Sequence, residues 1–337
     1  MRVNDTIRLL ACVLTSFALT AVLEPVVIVA MRKLKARQTI LHYVDKHEGK
    51  SGTPTMGGIG FLIAIAVTTA IYYPSWRSGG MVAALFMLAY AVVGFLDDFL
   101  KIWHKENLGL KAYQKVIGQL GVAIFVTLYC YRNPQIGTTI RIPFFDVQAD
   151  LGWWYVPLCL IATIAMSNAV NLTDGLDGLV ATTGAVYFAC FAGIAFAAFA
   201  AAQRAGDVLQ SGHLLSVACF CAAVVGGVGA FGWFNFNPAK IFMGDTGALA
   251  LGGAAACVAL FVKNPLLMLL PGIMYLVSCI SVIVQVIWFK ATGKRVFLMA
   301  PFHHHLEYKG VKEWKIVYWY AAVTAIGTVL AWMSLAE

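Results

Sequence analysis

Long apolar runs separated by short polar stretches organise the chain. Runs of bilayer-spanning or near-spanning length fall near 9–31, 56–73, 80–96, 116–131, 151–170, 179–202, 214–234, 248–262, 266–289 and 316–334. A bilayer core takes about 20 apolar residues per helix, so the pattern predicts an all-α polytopic membrane protein with about ten transmembrane helices. Strands of a transmembrane barrel would be about 10 residues long and would alternate in polarity, which these runs do not. No repeat or low-complexity segment interrupts the series, and residues 1–337 read as a single membrane domain.

The polar residues that end these runs are unevenly placed. Asp97-Asp98 ends the third run, Asp174 and Asp177 follow the fifth, Asp245 follows the seventh, and His303-His304-His305 follows the ninth. Neighbouring groups are two spans apart, so all of them fall on one face of the membrane. Loops 32–55, 97–115, 171–178, 235–247 and 290–315 lie on that face and hold about 17 of the 24 Lys and Arg. An excess of basic residues marks cytoplasmic loops, which puts both termini outside.

Composition supports this reading. The chain is 61% hydrophobic and only 12% charged, with a mean hydropathy of +0.79. A soluble domain carries about 25% charged residues, so a soluble fold is excluded. The net charge of +8 comes from short loops between apolar runs, which argues against a nucleic-acid partner. The eight cysteines lie within apolar runs with no CxxC pair and read as small buried hydrophobes. Arg2 and Arg8 precede the first run without an obvious cleavage site, so that run reads as a retained span.

The face-sharing segments carry the candidate chemistry. Adjacent carboxylates such as Asp97-Asp98 repel, and a hard cation or a proton relieves the repulsion; a solvated helix end beside Lys101 and Lys105 is the plainer alternative. Asn171-Leu172-Thr173-Asp174-Gly175-Leu176-Asp177-Gly178 is a tight polar turn, suited to a metal, to sugar or base donors, or to capping a helix. In Asn235-Phe236-Asn237-Pro238-Ala239-Lys240-Ile241-Phe242-Met243-Gly244-Asp245-Thr246-Gly247, Asp245 is a lone carboxylate flanked by glycine, and Phe242 is placed to stack on a base or simply to pack. Lys50-Ser51-Gly52-Thr53-Pro54-Thr55-Met56-Gly57-Gly58 suits a phosphate or an ordinary entry loop. The histidine triplet lacks a nearby Cys and fits phosphate donation better than zinc. Glu24, before Pro25, falls inside the first run, where a carboxyl is either functional or bonded to freed backbone. The longest external loop, 132–150, has the makings of a short hairpin at Thr138-Thr139-Ile140-Arg141-Ile142-Pro143-Phe144-Phe145.

Taken together, these segments resemble the polyprenyl-phosphate N-acetylhexosamine-1-phosphate transferases. Gly52-Thr53-Pro54-Thr55-Met56-Gly57-Gly58 and Met299-Ala300-Pro301-Phe302-His303-His304-His305 resemble the phospho-N-acetylmuramoyl-pentapeptide transferase branch. The resemblance implies attack of undecaprenyl phosphate on the β-phosphate of UDP-MurNAc-pentapeptide, giving lipid I and UMP with Mg²⁺ as cofactor. It also implies a bacterial cytoplasmic (inner) membrane, a place in peptidoglycan synthesis and a homodimer. Under the resemblance Asp245 is the principal metal ligand, and Asp97 and Asp98 place or deprotonate the lipid phosphate. Asn171, Asp174, Asp177, Asn235 and Phe242 form the nucleoside and diphosphate pocket. Lys50, Thr55, Lys115, His303, His304 and His305 contact phosphates.

Three positions depart from the family pattern. Ala248 stands where a Ser is common, Val311 where Trp follows Lys-Gly, and Ser278 where many members carry Glu. A sister transferase using UDP-GlcNAc would share nearly all of this chemistry. A transporter or flippase would instead place ionisable groups near the bilayer midplane.

Overall fold

The computed structural model describes residues 3–34, 36, 52–104, 109–145 and 147–335. Eleven helices hold most of them: α1 Val3–Lys33, α2 Gly58–Tyr72, α3 Gly79–His104, α4 Ala112–Arg132, α5 Tyr155–Thr173, α6 Leu179–Arg204, α7 Val208–Asn235, α8 Gly244–Phe261, α9 Ile273–Thr292, α10 Phe302–Tyr308 and α11 Glu313–Met333. Each of the ten apolar runs contains a helix, and α10 is a short addition that carries the histidine triplet. Among the described residues, eight helices are long and apolar enough to cross a membrane. The helix α2 is apolar but only 15 residues long, and α4, with Gln114, Lys115, Gln119 and Arg132, is not among the eight.

Two boundaries differ most from the hydropathy reading. The third run ends at 96 by apolarity, whereas α3 continues to His104. Asp97, Asp98 and Lys101 therefore ride on a helix rather than in a loop. The ninth run starts at 266 by apolarity, but residues Pro265–Leu269 form a separate 3-10 turn and α9 begins at Ile273. Pro271 and Gly272 account for the break, because proline cannot continue the helix before it. A short hairpin forms in segment 132–150, with β1 Thr139–Ile142 antiparallel to β2 Val147–Asp150 and Thr139 opposite Asp150; its second strand lies beyond the stretch 138–145.

The core is centred on α8, which is buried from Thr246 to Phe261 without interruption. Its residues are largely Gly and Ala, and small side chains let neighbouring helix backbones approach closely. The tightest approach is from α3: a Cβ on Gly94 would lie 2.1 Å from the Asp245 carbonyl oxygen. Only glycine fits there, so Gly94 sets how close the acidic end of α3 comes to the start of α8. The outer faces of α1, α9 and α11 are exposed and apolar, as at Leu14, Val26, Ile287, Phe289, Ile326 and Val329. Exposed apolar faces of this extent match helices facing lipid. All eight cysteines are free, seven of them buried.

Candidate active site

The carboxylates from two distant segments meet where α3 ends and α8 begins. Carboxylate oxygens of Asp97, Asp98 and Asp245 lie within 4.8 Å of one another, and Asp97 and Asp98 are buried. Among the described residues this is the one group of three or more potential metal ligands so arranged.

Two lysines hold the cluster together. Lys101 Nζ lies 2.5 Å from Asp97 Oδ2, 2.6 Å from Asp245 Oδ2 and 3.9 Å from Asp98 Oδ1. Lys115 Nζ, from the first turn of α4, lies 2.9 Å from Asp245 Oδ2 and 3.3 Å from Asp97 Oδ2. Three carboxylates against two ammoniums leave one negative charge in a largely dehydrated place, where electrostatic interactions are strong.

The three aspartates are held differently. Asp98 caps α8: its Oδ2 accepts from Thr246 N at 2.9 Å and Thr246 Oγ1 at 2.7 Å, and its Oδ1 accepts from Asp245 N at 3.2 Å. A carboxylate at a helix N-terminus satisfies donors that lack intrahelical partners and is favoured by the helix dipole. Asp97 Oδ1 accepts from Leu110 N at 2.9 Å, while its Oδ2 faces the lysines. Asp245 is the most accessible of the three, with 14% of its side chain exposed. Gly244 enters α8 at φ +74, and a Cβ there would lie 2.7 Å from Asp98 Oδ2 and 3.0 Å from Thr55 Oγ1. That contact places Thr55 beside the cluster.

An oxygen-only donor set, without Cys or His, fits a hard divalent cation such as Mg²⁺. Asp97 and Asp245 present the oxygens best placed for it, since both oxygens of Asp98 are committed to the cap.

The remaining predicted residues build the loops around this centre. Asn235 Oδ1 accepts from Gly178 N at 3.0 Å, and its Nδ2 donates to Ile241 O at 2.9 Å. Asp177 Oδ2 accepts from Ala239 N at 3.0 Å. These two side chains therefore fasten loop 236–243 to the turn after α5. Phe242 is half-buried; its N–H donates to Pro54 O at 2.8 Å and its carbonyl accepts from Gly57 N at 2.9 Å. Asn171 and Asp174 are half-buried at the end of α5. Burial pushes the Asp174 carboxyl up to about 8, and the charges of Asp245, Asp98 and Asp177 add to the shift. Lys50 lies outside the described residues.

The histidines divide. His303 and His304 pack on the turn at Gly175, where a Cβ would lie 2.3 Å from His303 Nε2 and 2.9 Å from His304 Nε2. His304 Nδ1 is 3.0 Å from Glu307 Oε2. Burial and then the neighbouring His304 hold His303 well below the usual imidazole range. His305 turns to the preceding loop, its Nδ1 accepting from Leu298 N at 3.1 Å, and burial followed by Lys309 lowers it.

Comparison with known proteins agrees with this layout. The profile of glycosyl transferase family 4 matches residues 80–263, the stretch from α3 through α8 that holds all three aspartates. Phospho-N-acetylmuramoyl-pentapeptide-transferase of Halalkalibacterium halodurans is 43% identical over 96% of this chain and 96% of its own. The proteins of that name from Bacillus mycoides and Bacillus subtilis are 46% and 44% identical, each over 94% of both chains. The chain belongs to the phospho-N-acetylmuramoyl-pentapeptide-transferase family.

Within this transferase the departures from the family pattern leave the centre intact. Ala248 is wholly buried inside α8, so a hydroxyl missing there is missing from the core. Ser278 Oγ lies 3.5 Å from Tyr320 Oη. From the sequence Lys101 entered only through the alternative of a solvated helix end, although its spacing of three and four residues from Asp98 and Asp97 is the helical signature of an ion pair. Asn237 and Thr246 stand in the Asn235–Gly247 segment without a role of their own there, and Glu313 lies outside every motif.

Proposed function

We propose that the protein transfers phospho-N-acetylmuramoyl-pentapeptide from UDP-MurNAc-pentapeptide to undecaprenyl phosphate, forming lipid I and UMP. The observation that carries this reading is the meeting of Asp97, Asp98 and Asp245 with Lys101 and Lys115 at the ends of apolar helices. A lipid phosphate is confined to the bilayer while a nucleotide sugar comes from water. A charged centre at a helix end serves both.

Phosphoryl transfer depends on positioning and charge neutralisation more than on covalent help from the protein. An oxygen of the lipid phosphate attacks the β-phosphorus of the donor, and the bond to the oxygen bridging to the α-phosphate breaks, so UMP departs with that oxygen. A phosphate monoester has its second pKa near 6 and is largely dianionic at neutral pH, so it attacks without a strong base. Asp97 orients the acceptor, and Asp98 acts through the cap that fixes Asp245. Lys101 and Lys115 neutralise charge that develops on the leaving phosphate. Asp245 with Asp97 would hold Mg²⁺, which would supply Lewis-acid stabilisation of the diphosphate. The loops at 171–178 and 235–243, with Phe242, take the nucleoside, and Lys50, Thr55 and His303–His305 meet the phosphates.

Under this reading about ten helices form one membrane domain in the bacterial inner membrane. Both termini lie outside, the centre faces the cytoplasm, and the protein works as a homodimer. Supplying membranes with UDP-MurNAc-pentapeptide or UDP-GlcNAc and measuring UMP release tests the donor. Release with UDP-GlcNAc alone would replace the reading by that of the sister transferase. Trapping a radiolabelled phosphosugar on the protein without acceptor would overturn direct attack.

A further inference from the structure

Glu313 is the first residue of α11, far in sequence from the motifs above. Its Oε1 accepts from Asp177 N at 2.7 Å, and its Oε2 accepts from Asn237 Nδ2 at 2.7 Å. One carboxylate thus joins the turn after α5 to the loop between α7 and α8. Asn237 Nδ2 lies 3.4 Å from Asp177 Oδ2, which also takes Ala239 N, so both loops are tied through the same four residues. Beyond Ala239 the segment runs on through Ile241, pinned by Asn235, to Phe242, pinned between Pro54 and Gly57. The position of Asp177 and the course of the segment that leads to Phe242 are both referred to Glu313.

The choice of a carboxylate is physically specific. Two donors approach from different loops, and only a side chain with two acceptor oxygens on one carbon meets both. A position in the first turn of α11 favours the negative charge through the helix dipole. Hydrogen bonds to a charged group are about twice as strong as neutral ones.

We infer that Glu313 is a positioning residue for the nucleotide half of the donor. It sets the separation of the two loops between which that half binds, without touching the reacting phosphates. The inference rests on the donor reading given above for loops 171–178 and 235–243.

The test uses the full chain purified in detergent, with variants Glu313→Gln, Glu313→Ala and Asn237→Ala. Three quantities are measured: the KM for UDP-MurNAc-pentapeptide, the KM for undecaprenyl phosphate, and the dissociation constant of UMP by titration calorimetry. Glu313→Ala loses both bonds and should raise the donor KM and the UMP constant together, by about ten-fold or more. Glu313→Gln keeps one acceptor oxygen and should fall between Ala and the parent. Asn237→Ala should weaken UMP binding in the same direction. The acceptor KM and kcat at saturating donor should stay within about two-fold. Unchanged UMP binding in all three variants overturns the inference, as does a fall in kcat with donor KM unchanged. If the parent binds UMP but transfers nothing from the donor, the reaction assigned above fails while the UMP titrations still decide the role of Glu313.

Discussion

Asp98 holds Thr246 by two bonds, from the backbone N–H at 2.9 Å and from the hydroxyl at 2.7 Å, across 148 residues of sequence. The bonds make Asp98 the cap of the helix that carries Asp245, and they separate its role from that of its neighbour Asp97. Replacing Asp98 with Ala should lower thermal stability by about 1–2 kcal/mol through loss of the cap. Asp97→Ala leaves that cap in place; its own loss, of the Lys101 pair and the Leu110 N–H bond, is offset in part because three carboxylates face two ammoniums there, so its stability loss should be the smaller. Both should lower kcat for UMP release by about 100-fold or more. Thermal midpoints measured beside initial rates separate the two; equal stability losses would contradict the distinct roles.

Lys101 competes with any cation for the oxygens of Asp97 and Asp245, which it meets at 2.5 and 2.6 Å. Lys101→Met removes that positive charge. The Mg²⁺ concentration for half-maximal activity should then fall, by about ten-fold, while kcat also falls because one neutralising group for the leaving phosphate is gone. A Mg²⁺ activation curve on the variant and its parent checks the sign.

Gly94 admits the backbone of α8 into contact with α3. A Cβ there would lie 2.1 Å from Asp245 O and 2.5 Å from Asp245 C, both backbone atoms that cannot turn aside. Gly94→Ala should push the two helices apart, cost about 1–3 kcal/mol, and abolish most UMP release while every carboxylate is still present. Normal activity in Gly94→Ala would show that the spacing of α3 and α8 is unimportant.

Asp174 gives the fold a pH signature. Its carboxyl is pushed up to about 8 by burial and by neighbouring carboxylates, against about 4 in the unfolded chain. Between these values the folded protein keeps a proton that the unfolded chain releases. Its share of stability is therefore full below about pH 4 and is lost as pH rises through about 8. The thermal midpoint of metal-free protein should decline from pH 5 to 8, and Asp174→Asn should flatten that decline. An unchanged slope in the variant would place the titration elsewhere.

Much of this architecture was legible in the sequence. Apolar length alone located the ten runs that became α1 to α9 and α11, eight of which are long and apolar enough to cross a membrane. The common face of Asp97, Asp98, Asp174, Asp177, Asp245 and His303–His305 followed from counting spans. The continuation of α3 beyond residue 96 was hidden, since hydropathy ends a helix where charge begins, whereas Lys101 pairs with Asp97 one turn away and keeps the helix polar but intact. The division of labour between Asp97 and Asp98 was also hidden. It depends on which carboxylate meets Thr246, and adjacent residues on a helix point about 100° apart. Asn235 and Asp177 carried a binding signature by residue type, yet their side chains bond Gly178, Ile241 and Ala239. Glu313 left no local signal, because its partners lie 136 and 76 residues away.

The central claim is that the centre built on Asp97, Asp98 and Asp245 releases UMP. The most direct measurement is UMP formation from UDP-MurNAc-pentapeptide and undecaprenyl phosphate with Mg²⁺, by the parent protein and by Asp245→Ala, both reconstituted in lipid and matched for folded protein. The parent should form UMP and lipid I in equal amounts, and Asp245→Ala should form neither above background while inserting and purifying normally. Full UMP release by a well-folded Asp245→Ala protein would contradict the account.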